Sequence, residues 1–226
     1  MRKYVVEFIG TFFLVLTVGA AVLSDSRLAP LAIGGVLMVM VYAGGHVSGA
    51  HYNPAVTLAV LIRGRIAPVD AAWYTASQLV AALAAAPLAR WAVNPPSVTA
   101  LSLSGRHLAS ALVVEALFAF ALAYVVLNVA LSASHEDNSF YGLAIGFTVL
   151  AGAASVGGIS GGAFNPAVAL GGAAMGLFDW SDIWVYLIAD LIGGAVAGAA
   201  FLFLNPLDGR AATEPAWDVA EPAAQS

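Results

Sequence analysis

The 226-residue chain contains no cysteine. That absence removes disulfide frameworks, thiolate metal sites and cysteine nucleophiles together, and it leaves the compartment open. Charge is almost as scarce: Asp, Glu, Lys and Arg make up 9% of the residues, against roughly a quarter in soluble globular domains. The eight Lys and Arg form neither a patch nor a stripe, so no nucleic-acid partner is expected. No Ser/His/Asp constellation, metal-ligand set or phosphate-binding loop is present. An enzyme is therefore disfavoured, and no cofactor is expected. His46 and His51 lack a third ligand and do not read as a metal pair.

What is abundant is apolar sequence, 61% of the chain. A membrane-crossing helix needs ~20 mostly apolar residues, and six segments qualify: 4–23, 30–47, 69–91, 108–131, 140–157 and 182–204. The first follows Arg2 and Lys3 but is too long for a signal sequence and contains Glu7. Two further apolar stretches, 54–62 and 166–177, are too short to cross. Each opens on Asn-Pro: Asn is a favoured N-cap, and proline suits the first helical position because its missing N–H has no partner there. These are half-length helices, which a bilayer tolerates only when they are buried against protein or a water-filled cavity. Arg2, Lys3, Arg63, Arg65 and Arg210 fall on one side and Arg27, Arg90 and Arg106 on the other. That bias puts both termini in the cytoplasm. The acidic, Pro- and Ala-rich tail, 205–226, reads as disordered.

The chain repeats itself. Leu31-Ala32-Ile33-Gly34 recurs as Leu143-Ala144-Ile145-Gly146, and Ser48-Gly49 with Asn53-Pro54-Ala55-Val56 recurs as Ser160-Gly161 with Asn165-Pro166-Ala167-Val168. Tyr74 and Gln78 correspond to Tyr186 and Asp190 at the same offset (165 − 53 = 112), while Glu7 and Glu115 pair at 108. Three crossings per half invert the second copy relative to the first. Repeat 1 covers about 1–97 and repeat 2 about 104–204, together one 1–204 domain. Inverted repeats place their site near the midplane, where broken helices meet.

The segments 45–57 and 158–167, with Glu7-Phe8-Ile9-Gly10-Thr11-Phe12 in the first crossing, resemble the aquaporin (major intrinsic protein) family over nearly all of the chain to Asn205. The resemblance implies an all-α membrane fold of six tilted helices plus two half-helices, usually a homotetramer with one pore per subunit in the cell membrane. It also implies that Asn53, Pro54, Ala55, Asn165, Pro166 and Ala167 form the pore centre. There the amide N–H groups and two positive helix ends break the proton wire and repel cations. Glu7 and Glu115 would support the loops by accepting backbone hydrogen bonds, and His46 and His51 would steady the entry loop. Asp190 replaces an apolar residue or Pro common in relatives; it is expected to be a structural partner inside the bundle, with a place on the pore wall as the alternative.

One position departs from the family pattern. Water-selective relatives, and glycerol-conducting ones too, usually place Arg directly after the second Asn-Pro-Ala, where this chain has Val168. The other filter positions would be Ile33, Ala153 and Gly162, without the aromatic and His of strict water channels. Losing the guanidinium removes several donors and a permanent charge. The expected permeants are therefore water and small neutral solutes such as glycerol, urea, ammonia or hydrogen peroxide, unless Phe147 or Phe164 narrows the ring. Two other readings stay open: a proton- or sodium-coupled transporter using Glu7, Glu115 or Asp190, and a structural membrane protein with a closed pore.

Overall fold

A computed structural model describes residues 1–135, 138–206 and 208; the expected disordered tail lies almost wholly outside them. The helices are α1 (Arg2–Leu23), α2 (Ala29–Ser48), α3 (Pro54–Arg63), α4 (Pro68–Val93), α5 (Gly105–Ala130), α6 (Tyr141–Ser160), α7 (Pro166–Met175) and α8 (Ile183–Leu204). Six of these are long and apolar enough to cross a membrane. The other two, α3 and α7, have 10 residues each, about 15 Å of helix, which is half of a ~30 Å hydrocarbon core. The fold is the all-α arrangement of six crossings and two half-helices expected from the sequence, and the protein is a multi-pass membrane protein.

Local sequence sets where the helices stop. α6 runs three residues beyond its expected end because the first residue to leave the right-handed region is Gly161, at φ 88°. Gly49 ends α2 in the same way, at φ 80°. Gly64 and Gly176 close the half-helices at φ 79° and 81°. Glycine meets no steric penalty in this left-handed conformation.

Packing brings the N-terminal ends of the two half-helices together. α2 crosses α6, where Gly34 and Gly146 each lie against the other's carbonyl oxygen, so neither has room for a side chain. α3 lies on α8, and α7 lies on α4. Gly194 sits against the Ala55 backbone, and Gly198 against Ile62 and the Ala59 carbonyl. Ala82 and Ala86, both buried, mirror them on α4. The small residues spaced four apart thus seat the half-helices. Close approach of this kind is the main source of helix association where lipid leaves little hydrophobic driving force.

Candidate functional site

The site is built around two buried carboxylates. Glu7 on α1 is fully buried and fills four acceptor positions. Its Oε1 takes the Ser48 hydroxyl at 2.7 Å and the His51 N–H at 2.9 Å; its Oε2 takes the Tyr52 N–H at 2.7 Å and Gln78 Nε2 at 2.8 Å. Glu115 on α5 is equally buried. Its Oε1 accepts from the Ser160 hydroxyl and from the Ala163 N–H at 3.1 Å, and its Oε2 from the Phe164 N–H at 2.7 Å. Each carboxylate thus satisfies the backbone of an irregular segment that would otherwise carry unpaired N–H groups inside the bilayer. Above each, a tyrosine donates to the serine carbonyl: Tyr74 to Ser48 at 2.8 Å and Tyr186 to Ser160 at 2.7 Å.

These bonds hold Tyr52 and Phe164 in the left-handed region, both at φ 50°. Non-glycine residues there are strained and persist only where their surroundings over-determine them. Each has its N–H on a glutamate and its carbonyl on the opposite half. Asn53 Nδ2 donates to the Phe164 carbonyl at 2.9 Å, and Asn165 Nδ2 donates to the Tyr52 carbonyl at 2.9 Å. The amide oxygens are used differently: Asn53 Oδ1 accepts from the Ala55 N–H at 2.8 Å, and Asn165 Oδ1 from the Ala167 N–H at 2.9 Å. Capping consumes the oxygen and the cross-link consumes one N–H. One amide proton remains on each Asn, and both residues line the same cavity.

That cavity has a volume of about 410 Å³. Ile33, Ala153, Gly162 and Val168 all lie on its wall, with aliphatic neighbours that include Leu14, Leu37 and Val149. His51 also reaches it. The Thr57 hydroxyl donates to the Asn53 carbonyl at 3.0 Å and accepts from Gln78 Nε2 at 3.1 Å. The His51 Nδ1 contact to Thr57, at 3.1 Å, is then a donated N–H. This assigns the tautomer that leaves Nε2 as an acceptor.

Two expectations need correction. His46 was expected to steady the loop, but it stands exposed in the last turn of α2 with no hydrogen-bond partner among the described residues. The buried, bonded imidazole is His51, because the loop turns inward only after Gly49. Phe164 does not narrow the cavity: it is buried against Phe118, ring centroids 5.2 Å apart. Phe147 is 54% exposed on the outer face. Phe178, stacked on Tyr186 at 4.6 Å, does reach the cavity, as does Tyr52. Phe178 is placed by a backbone link that sequence reasoning missed, Leu101 N–H to Leu177 O at 2.8 Å and Asp179 N–H to Leu101 O at 3.0 Å. Asp190 is completely buried beside Glu115 and is not on the cavity wall. No group of three His, Cys, Asp or Glu able to hold a metal occurs among the described residues.

Residues 1–201 match the profile of the family described as "Major intrinsic protein". The chain is 38% identical over 211 residues to glycerol uptake facilitator protein-like 6 of Lactiplantibacillus plantarum, an alignment covering 87% of this chain and 95% of that protein. It is 35% identical over 218 residues to aquaporin NIP1-1 of Oryza sativa subsp. japonica, covering 88% and 72%. Among solved structures, the aquaglyceroporin from Plasmodium falciparum superposes with a TM-score of 0.77 at 22% identity, over 93% of this chain and 99% of that one.

Proposed function

Since the chain belongs to the major intrinsic protein family, we propose that it is a passive membrane channel conducting water and small neutral solutes. The observation that carries this reading is the shared cavity. The two capping Asn residues and the four filter positions Ile33, Ala153, Gly162 and Val168 line one 410 Å³ space. A solute entering it meets mostly aliphatic wall, with polar contacts gathered at Asn53, Asn165 and His51.

Two effects govern selectivity in this reading. Both half-helices direct their N-terminal ends, each worth about half an elementary charge, toward the Asn pair. The remaining amide protons point a passing water's oxygen at both Asn residues, which interrupts a proton wire and disfavours cations. At the filter, Val168 brings neither charge nor donor. The constriction then excludes by size more than by hydrogen bonding, and it admits solutes larger than water such as glycerol, urea or ammonia. The glycerol uptake facilitator-like relative is in keeping with this breadth.

A coupled transporter would need an ionisable group that the permeant can reach. Glu7, Glu115 and Asp190 are all fully buried and off the cavity wall, which favours uncoupled flux. We place the channel as a homotetramer in the cell membrane with both termini cytoplasmic, on the strength of the family and the arginine distribution. The test is solute uptake into proteoliposomes with and without imposed proton and sodium gradients. Downhill flux unchanged by either gradient supports a channel, and gradient-dependent accumulation would replace it with a transporter.

A further inference from the structure

The two carboxylate sites are copies in every partner but one. Ser48 and Ser160, His51 and Ala163, Tyr52 and Phe164 supply equivalent donors to Glu7 and Glu115. The fourth position on Glu7, the second lone pair of Oε2, is filled by an amide proton of Gln78 at 2.8 Å. At the same offset in the second half the residue is Asp190. It lies beside Glu115, with the backbone N–H of Asn165 also close to it, and neither of its oxygens meets a nitrogen or hydroxyl donor at full hydrogen-bond geometry.

Ionised, Asp190 has nothing to donate. It would set a second negative charge against Glu115 in a fully buried place, and two carboxylates that close do not both ionise. Among the described residues Glu115 is the charged group beside it, Tyr186 spends its hydroxyl on the Ser160 carbonyl, and no cation forms an ion pair with either acid. Glu115 holds three donors, whereas Asp190 has only the Asn165 N–H nearby and no donor at full hydrogen-bond geometry, so the shared proton belongs on Asp190.

We propose that Asp190 is held as the neutral carboxylic acid and donates its proton to Glu115, taking the part that Gln78 plays in the other half. The role is positioning. Through Glu115 the proton reaches the Phe164 N–H, and through the Phe164 carbonyl it reaches Asn53, so it braces the 161–165 loop that carries Gly162. It does not touch the permeant, and the proposal stands whichever solutes pass.

Infrared spectroscopy of the purified full-length protein in lipid at neutral pH tests it. The wild type is expected to show a protonated carboxyl C=O band above the amide I region, which shifts when aspartate is carbon-13 labelled and is lost in Asp190→Asn. That variant keeps an N–H donor, so it should retain the wild-type thermal midpoint, whereas Asp190→Ala should lower it. Absence of the band, a band that follows labelled glutamate instead, or failure of Asp190→Asn to fold would each overturn the proposal. The labelled wild type settles the protonation state without any variant.

Discussion

Asn53 and Asn165 each donate an amide proton to the residue that precedes the other, at 2.9 Å in both directions. The two halves of the chain are thereby joined at the point where their half-helices begin. Because the Asn oxygens are occupied by their own helix ends, the amides cannot rotate to present oxygen to the cavity without breaking two bonds at Asn53 and three at Asn165.

Replacing Asn53 or Asn165 by Asp tests this division of labour. The capping oxygen survives, but both N–H donors are lost and a negative charge enters the cavity. The expected result is a folded protein with cation conductance above the bilayer baseline in planar-membrane recordings, and a thermal midpoint lowered by the lost cross-link, ~1 kcal/mol for a typical hydrogen bond. Unchanged cation exclusion would show that the amide protons are not the barrier.

Glu7→Ala should be far more damaging. It strands the His51 and Tyr52 N–H groups, the Ser48 hydroxyl and one N–H of Gln78 Nε2, whose other N–H keeps Thr57, and each buried unsatisfied donor costs about 1–3 kcal/mol. Thermal unfolding in detergent should fall well below wild type. Glu7→Gln, which retains an acceptor oxygen, should recover part of the loss.

Gly194→Val would place a side chain on the backbone of Ala55. Overpacking of this kind costs about 1–3 kcal/mol, and here it pushes α3 away from the cavity. Reduced thermal stability together with reduced water flux is expected. A variant with normal flux would show that α3 need not sit so close to α8.

Val168→Arg puts a guanidinium on the cavity wall that Val168 shares with Ile33, Ala153 and Gly162. Glycerol flux relative to water is expected to fall by ~10-fold, a barrier change of about 1.4 kcal/mol, as read by stopped-flow light scattering. An unaltered ratio would move the size limit away from these four residues.

The crossings and half-helices were legible because their signals are local. Long apolar runs mark the spans, and Asn-Pro starts and glycine stops mark the half-helices. The repeat offset also made Glu7 and Glu115 conspicuous. The contacts that aim the loops were not legible. The hydroxyls of Ser48 and Ser160 find their glutamates only after α1 has packed on α2 and α5 on α6, and those of Tyr74 and Tyr186 reach the serine carbonyls only after α4 and α8 have packed. His46 and His51 look alike in sequence, and only the turn at Gly49 separates an exposed imidazole from a buried one. Phe178 could not be placed because its position depends on a backbone link to Leu101, across most of the second half.

The central reading, a pore wider in permeants than a strict water channel, rests on Val168 and the aliphatic wall around it. Stopped-flow osmotic assays on proteoliposomes, run with an impermeant osmolyte and then with glycerol, urea and ammonia, test it most directly. Rapid water efflux, followed by re-swelling or uptake with at least one of the larger solutes at rates above empty liposomes, is the predicted result. Fast water flux in vesicles that stay sealed to all three solutes would contradict it.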